Sequence, residues 1–167
     1  MPAADSDSRN GYGMELILWR HAEAEVGEPD LGRRLTSKGE KQARRMAEWL
    51  HAHLPESARI LVSPAMRAQQ TVQALAELGH RKFKTVEEVA PGATVKDVLR
   101  AVDWPNARSP VVVVGHQPTF AFVASYLLAG IEQPWSVKKG AVWWLSSRER
   151  EGEEQVVLRA VVNPDLV

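Results

Sequence analysis

The 167-residue sequence contains no cysteine, has no excess charge of either sign and has no long apolar run. Without cysteine, a disulfide scaffold, a cysteine-ligated zinc or iron–sulfur site and a cysteine nucleophile are excluded. The 21 basic and 21 acidic residues give a formal net charge of +0, which argues against binding to nucleic acid or an anionic membrane through bulk charge. No apolar run approaches the about 18 residues of a transmembrane helix, so no membrane span is expected.

Residues 1–13 (MPAADSDSRNGYG) have few apolar side chains to bury and lack the apolar stretch of a secretory signal. We therefore expect a flexible leader over 1–13 and a single domain over 14–167, which is an ordinary domain length. The absence of cysteine and of a signal segment fits a cytoplasmic location.

Short apolar runs alternate with helical patterns along the chain. Strands are predicted at 16–19, 60–62 and 111–114, and two further strands at 141–145 and 156–162. Helices are predicted over 37–54, with a capping box of Ser37 and Glu40, over 63–79, starting at Ser63 and Pro64, over 94–102, and from Pro118 to about Gly130. Continuous apolar runs indicate strands covered on both faces. The sequence therefore predicts an α/β fold, a three-layer α/β/α sandwich with a largely parallel central sheet.

Polar residues follow each of the first three strands, and they predict one common site. In parallel sheets, ligands bind at the carboxyl ends of the strands, which groups Arg20, His21, Ser63, Arg67 and His116. Arginine offers a fork of donors that matches phosphate oxygens, and histidine can act as nucleophile, acid or donor near neutral pH. These residue types predict phosphoryl transfer, with catalysis by charge neutralisation around an in-line displacement.

Four segments, in the same order, resemble the motifs of the histidine phosphatase superfamily, the phosphoglycerate mutase-like proteins, and of its SixA-type phosphohistidine phosphatase branch. Residues 18–24 (LWRHAEA) resemble the Arg-His-Gly signature, with alanine in place of glycine. Residues 30–39 (DLGRRLTSKG) resemble Asp-x-x-Arg-x-Leu-Thr-x-x-Gly, and residues 62–71 (VSPAMRAQQT) contain a segment similar to Ser-Pro-x-x-Arg-Ala-x-Gln-Thr. Residues 115–118 (GHQP) resemble Gly-His-x-Pro.

The resemblance implies a role for each matching residue. His21 would be the nucleophile that takes the phosphoryl group, and His116 would donate to the phosphoryl oxygens as charge builds. The other phosphate-binding residues would be Arg20, Arg33 and Arg67, with Arg34 as the alternative to Arg33. A Glu or Asp protonates the leaving group in many family members, and Glu88 stands where that residue would fall. A phosphoramidate can also leave without such an acid once its imidazole is protonated.

No cofactor or metal is expected. The sequence contains neither a P-loop motif nor the Gly-x-Ser-x-Gly elbow of hydrolases. His51 and His53 are two residues apart on a predicted helix, so they do not face each other as metal ligands would.

Three functions remain open at this stage. The short segment 79–111 leaves little room for the lid of a phosphoglycerate mutase, and the resulting open site suits both of the first two functions. The first is hydrolysis of phosphohistidine in a protein through a covalent phosphohistidine intermediate. The second is hydrolysis of small phosphate esters with broad specificity. The third is a module that binds a phosphorylated ligand without turnover, although binding alone would not need a histidine nucleophile.

Overall fold

The structure, a computed structural model, describes residues 12–167, so residues 1–11 of the predicted leader lie outside the described residues. At the beginning of the described part, the Gly13 amide N–H donates to the Ser147 carbonyl at 2.7 Å. The amide N–H of Met14 donates to the Ser147 hydroxyl at 2.8 Å. These bonds attach the start of the domain to a distant strand.

Six strands form one sheet: β1 (Glu15–Arg20), β2 (Arg59–Val62), β3 (Lys84–Thr85), β4 (Val111–Gly115), β5 (Val142–Arg150) and β6 (Glu153–Val162). Their order across the sheet is β3-β2-β4-β1-β5-β6. The first four strands are parallel, whereas β5 and β6 form an antiparallel hairpin that pairs with β1. The predicted parallel centre is confirmed, and the two late strands are longer than their apolar runs indicated.

Four helices cover the sheet: α1 (Ser37–His53), α2 (Met66–Gly79), α3 (Val95–Ala101) and α4 (Thr119–Ala129). Helices α1 and α2 pack on one face, where Ile17 and Trp19 of β1 are buried. Helices α3 and α4 pack on the other face, where Leu16 and Leu18 are buried. Alternate residues of β1 thus enter different cores, as a strand inside a three-layer sandwich requires. None of the helices in residues 12–167 has the length and apolar character needed to cross a membrane.

The starts of two helices differ from the prediction. Helix α1 is capped by Thr36, whose hydroxyl accepts from the Gly39 amide at 2.9 Å, so the predicted capping box of Ser37 and Glu40 is wrong. Helix α2 begins at Met66 instead of Ser63. The Ser63 hydroxyl lies in a short turn before this helix, where it accepts a hydrogen bond from the Ala65 amide at 3.1 Å. The first error arose because Thr36 and Ser37 are adjacent and both offer a capping hydroxyl. Helix α2 has no side-chain cap, since Ala65 occupies the N-cap position.

Candidate active site

The carboxyl ends of β1, β2 and β4 lie side by side. Arg20 is in register with Gly115, and Val62 is in register with Val114. Backbone bonds continue past these ends, because the His21 amide donates to the Gly115 carbonyl at 3.0 Å and the Ser63 amide to the Val114 carbonyl at 3.0 Å. The residues that follow the three strands are therefore adjacent, as the sequence predicted.

Gly39 allows helix α1 to approach the backbone that follows His21. A side chain at this position would place its Cβ 2.0 Å from the Glu23 carbonyl oxygen, which no real contact permits. The Gln42 side chain on the next turn accepts from the Glu23 amide at 2.9 Å. The glycine and the glutamine in this segment thus fix the loop behind His21 against α1.

His21 is a buried imidazole with a defined hydrogen on one ring nitrogen. Its Nε2 lies 3.3 Å from Arg67 Nε, and its Nδ1 lies 2.7 Å from the Ala22 carbonyl oxygen. A guanidinium N–H can only donate and a carbonyl can only accept. The contacts therefore require a neutral ring that donates from Nδ1 and holds its lone pair on Nε2.

The surroundings of His21 keep this ring neutral. Burial is the largest cause, and it lowers the pKa of His21 from 6.5 to about 4. That value also includes the hydrogen bond to the Ala22 carbonyl, which raises the pKa, and the positive charges of Arg67, Arg20 and Arg33, which lower it. At neutral pH the lone pair on Nε2 is consequently available for attack on phosphorus.

We expect the His21 ring to stay neutral, with hydrogen on Nδ1, as the pH is lowered from 8 to 5. An unfolded chain takes up this proton near 6.5 whereas the folded protein does so near 4. The contribution of His21 to the free energy of unfolding therefore falls as the pH drops from 6.5 towards 4. Two-bond proton–nitrogen NMR correlations of the imidazole ring, recorded as a pH titration, measure both tautomer and pKa. A His21 midpoint near 6.5 would contradict the assignment.

His116 stands beside His21 with one free polar atom. The two ring centroids are 5.2 Å apart. His116 Nε2 lies 2.7 Å from the Ser63 hydroxyl oxygen, while its buried Nδ1 has no hydrogen-bond partner among residues 12–167. Burial first, and then the electrostatic interactions with His21 and Arg67, lower the pKa of His116 to about 3, while the charge of Asp30 acts in the opposite direction. The bond to Ser63 holds the second histidine in place as a neutral group next to the first.

Arg67 connects His21 to Asp30. Besides the bond from Nε to His21, its Nη1 donates to the Asp30 carbonyl oxygen at 2.8 Å and its Nη2 to the Asp30 carboxylate at 3.2 Å. Arginine carries five N–H donors, so these bonds leave about two of them for a ligand. Arg67 also lies in the first turn of α2, where free backbone N–H groups favour an anion.

Asp30 belongs to a quoted motif, but sequence reasoning gave it no role. Its carboxylate bonds to Arg33 Nη1 at 3.1 Å as well as to Arg67. The hydrogen bond from Arg33 is the largest cause that holds the pKa of Asp30 below its usual value. One carboxylate therefore orients two arginines. The sequence signal for this role was the match of positions 30 and 33 to the Asp and the Arg of the family motif.

The remaining predicted residues occupy different surroundings. Arg20 donates from Nη1 to the Val137 carbonyl at 2.7 Å, and its charge acts on His21. Arg33, and not the exposed Arg34, makes the bond to Asp30. Glu88 is exposed in a one-turn helix, and within residues 12–167 it makes no hydrogen bond or ion pair with the histidines or arginines of the site.

Thr71 is a second residue whose role the sequence did not indicate. Its hydroxyl accepts from the Ala22 amide at 3.0 Å and donates to the Arg67 carbonyl at 2.7 Å. Thr71 thus ties Ala22, the residue after His21, to helix α2, and this contact helps to fix the distance between His21 and Arg67. In the described part of the chain, no three His, Asp or Glu side chains form a group that could hold a metal ion.

Comparison with known proteins gives consistent results. The family model described as "Histidine phosphatase superfamily (branch 1)" matches residues 16–94. The phosphohistidine phosphatase SixA homolog of Haemophilus influenzae is 35% identical over 127 residues, which cover 68% of this chain and 77% of that protein. Phosphohistidine phosphatase SixA of Escherichia coli is 30% identical over 129 residues, which cover 72% and 78%.

A solved structure resembles nearly the whole chain. The protein histidine phosphatase SixA in complex with tungstate superposes with a TM-score of 0.75 and 26% identity. The match covers 92% of this chain and 99% of the other. The similarity thus extends well beyond the segment that the family model matches.

Proposed function

Because the chain belongs to the histidine phosphatase superfamily, we propose that it removes a phosphoryl group from phosphohistidine in a protein, with His21 as the nucleophile. The observation that carries the proposal is the buried, neutral imidazole of His21, whose Nε2 lies 3.3 Å from the Nε of Arg67. The similarity to SixA proteins supports phosphohistidine as the substrate.

In the first step, the hydrogen bond from Arg67 Nε to His21 Nε2 is given up, and the freed lone pair on Nε2 attacks phosphorus in line with the leaving group. The new P–N bond forms as the old bond to the leaving nitrogen breaks, and that nitrogen keeps the electron pair. The free donors of Arg67, together with Arg20 and Arg33, neutralise the charge on the phosphoryl oxygens. His116 Nδ1, which has no partner among the described residues, is available to a phosphoryl oxygen as well.

In the second step, water attacks the same phosphorus from the opposite side. The bond between phosphorus and Nε2 breaks, its electron pair returns to His21, and inorganic phosphate leaves. The Ala22 carbonyl keeps the ring oriented through both steps, because it accepts from Nδ1–H. This hydrogen bond also stabilises the positive charge that the ring carries while it is phosphorylated.

The leaving group decides how much acid assistance is needed. When the imidazole of the substrate phosphohistidine is protonated, it leaves as a neutral ring. The proposed reaction therefore proceeds without an enzyme acid. An alkyl ester would leave as an alkoxide, and Glu88 is the residue we propose to protonate it. Apart from the attacking water, all these steps use groups of the protein itself, and we propose that the reaction needs no metal.

A substrate panel tests this function. Initial rates are compared for a phosphohistidine peptide, a phosphoserine peptide and p-nitrophenyl phosphate, each with and without EDTA and vanadate. We expect the highest kcat/KM on phosphohistidine, inhibition by vanadate and no effect of EDTA. Glu88→Gln should slow only the phosphoserine peptide, with Glu87→Gln as its neighbouring control.

Three other outcomes of the substrate panel would replace or overturn the proposed function. A higher kcat/KM on the esters would replace the proposal with a phosphomonoesterase of broad specificity. Tight binding of the phosphohistidine peptide without turnover of any substrate would establish a binding module. Loss of activity in EDTA would overturn the metal-free reaction.

A further inference from the structure

A groove rich in lysine and arginine lies beside the active site. It has a volume of about 720 Å³ and lies between α1, the segment 136–139 and the C-terminal residues 163–165. We call it the basic groove, after the cations that line it: Arg20, Lys38, Lys41, Arg45, Lys138 and Lys139. Arg20, the residue before His21, lines this groove, so the groove lies next to the predicted phosphate site.

Most of the positive charge in the basic groove is not neutralised by the protein. Its lining contains only two carboxylates, Glu23 and Asp165, and Glu23 pairs with Lys139 at 3.8 Å. Lys38, Lys41 and Arg45 are exposed, and no described residue of the chain forms an ion pair with them. In a chain whose formal net charge is +0, this is a local excess that favours an anionic ligand.

The spacing of these cations indicates an extended ligand. Residues 38, 41 and 45 are three and four positions apart on α1, so their side chains share one face of the helix. At the helical rise, the row extends for about 10 Å. One phosphate group has a single centre of charge and cannot meet the whole row. Several carboxylates on a protein surface can.

Two atoms in the lining also lack partners. The Nε of Arg20 and the Oδ1 of Asn163 are buried and have no hydrogen-bond partner among the described residues. Buried polar atoms in native proteins are normally satisfied. Arg20 and Asn163 of the lining thus each carry an unsatisfied polar atom.

We propose that the basic groove binds an acidic surface of the phosphorylated protein whose phosphohistidine enters the active site. Carboxylates of that protein contact Lys38, Lys41 and Arg45 while its phosphoryl group reaches His21. This inference rests on the proposed function, because it names the chemistry of the same substrate. It assigns substrate selection to charges outside the phosphate site. A small phosphate ester does not contact these charges.

Two synthetic phosphohistidine peptides provide the test. One carries glutamates at helical spacing beside the phosphohistidine, and the other carries glutamines at the same positions. The variant Lys38→Glu/Lys41→Glu/Arg45→Glu reverses the row. The control Arg44→Glu/Lys82→Glu/Lys84→Glu reverses three exposed cations outside the groove and changes the net charge equally. Thermal unfolding checks that both variants fold.

The expected result is a loss confined to one substrate and one variant. For the glutamate peptide, kcat/KM should fall about tenfold or more in the groove variant, mainly through KM, because like charges facing each other across an interface weaken and slow association. The glutamine peptide and p-nitrophenyl phosphate should change by less than about twofold. The control variant should resemble wild type, and added salt should reduce the preference of wild type for the glutamate peptide.

Other results would overturn the inference. Equal rates on the two peptides would show that the groove does not recognise carboxylates. An equal loss on all three substrates would mean that the row acts on the phosphoryl group itself. Tighter binding of single-stranded DNA than of the glutamate peptide would assign the groove to nucleic acid.

Failure of the proposed function can be separated from failure of the groove. If wild type hydrolyses p-nitrophenyl phosphate but neither peptide, the substrate proposal is wrong. Fluorescence anisotropy of the unphosphorylated glutamate peptide then measures the groove alone. Weaker binding to the groove variant than to the control variant supports the groove, and equal binding overturns it.

Discussion

Replacing His21 with alanine is expected to abolish turnover, with kcat/KM at least about a thousandfold lower on every substrate. No other histidine can take its place: His116 binds Ser63 through Nε2, and its ring centroid lies 5.2 Å from that of His21. Steady-state kinetics on the phosphohistidine peptide and on p-nitrophenyl phosphate measure the loss. Activity above a few per cent of wild type would remove His21 as the nucleophile.

A second variant separates loss of the nucleophile from loss of the fold. His21 is only 8% exposed, so alanine leaves a small cavity. In His21→Asn the side-chain amide can replace Nδ1–H as donor to the Ala22 carbonyl, but it offers no nucleophilic nitrogen. Both variants should be inactive, while His51→Ala, at an exposed histidine of α1, should retain activity. Mass spectrometry after an alkaline quench should find the phosphoryl adduct in wild type only.

Replacing Arg67 with alanine is expected to lower kcat/KM by about 10²–10³, or roughly 3–4 kcal/mol in barrier, the usual effect of losing one fixed electrostatic donor. Arg67 is 5% exposed and bonds directly to His21, so its charge acts at short range and with little screening by solvent. The loss should appear in kcat as well as in KM, because the charge on the oxygens grows in the transition state. An unchanged kcat/KM would exclude Arg67 from the site.

Two further measurements distinguish this role from a structural one. Arg67→Lys should recover only part of the activity, because lysine keeps the charge but loses the planar fork. Removing the positive charge at position 67 should also raise the pKa of His21, which the imidazole titration measures directly. Arg44→Ala, at an exposed position of α1, is the matched control and should affect neither quantity.

Local sequence patterns were sufficient for the architecture and for the location of the site. The run Val111–Val114 is completely buried, as its composition indicated, and it pairs on both sides in parallel. Because strand ends in a parallel sheet share an edge, a common site for His21 and His116 could be predicted from their places directly after two apolar runs. The errors lay at helix starts, where Thr36 and Ala65 precede the first helical residue instead of the predicted residues.

The contacts that give the site its chemistry depend on pairs of residues far apart in the chain. Asp30 meets Arg67 across 37 positions, and His116 meets Ser63 across 53. Nothing in local periodicity specifies such a pair, since it depends on how a loop folds over the sheet edge. The neutral state of His21 is likewise a result of burial, which only the packed protein has.

The sequence by itself thus determined an α/β fold with a largely parallel sheet, its family, and the placement of histidines and arginines at the ends of the predicted strands. These features depend on residue order and on the periodicity of short segments. The tertiary structure alone decided that Asp30 orients two arginines, and that cations of α1 and of residues 138–139 share a groove beside Arg20. Such groupings arise because folding brings distant side chains within a few ångströms, where charge and hydrogen bonding act.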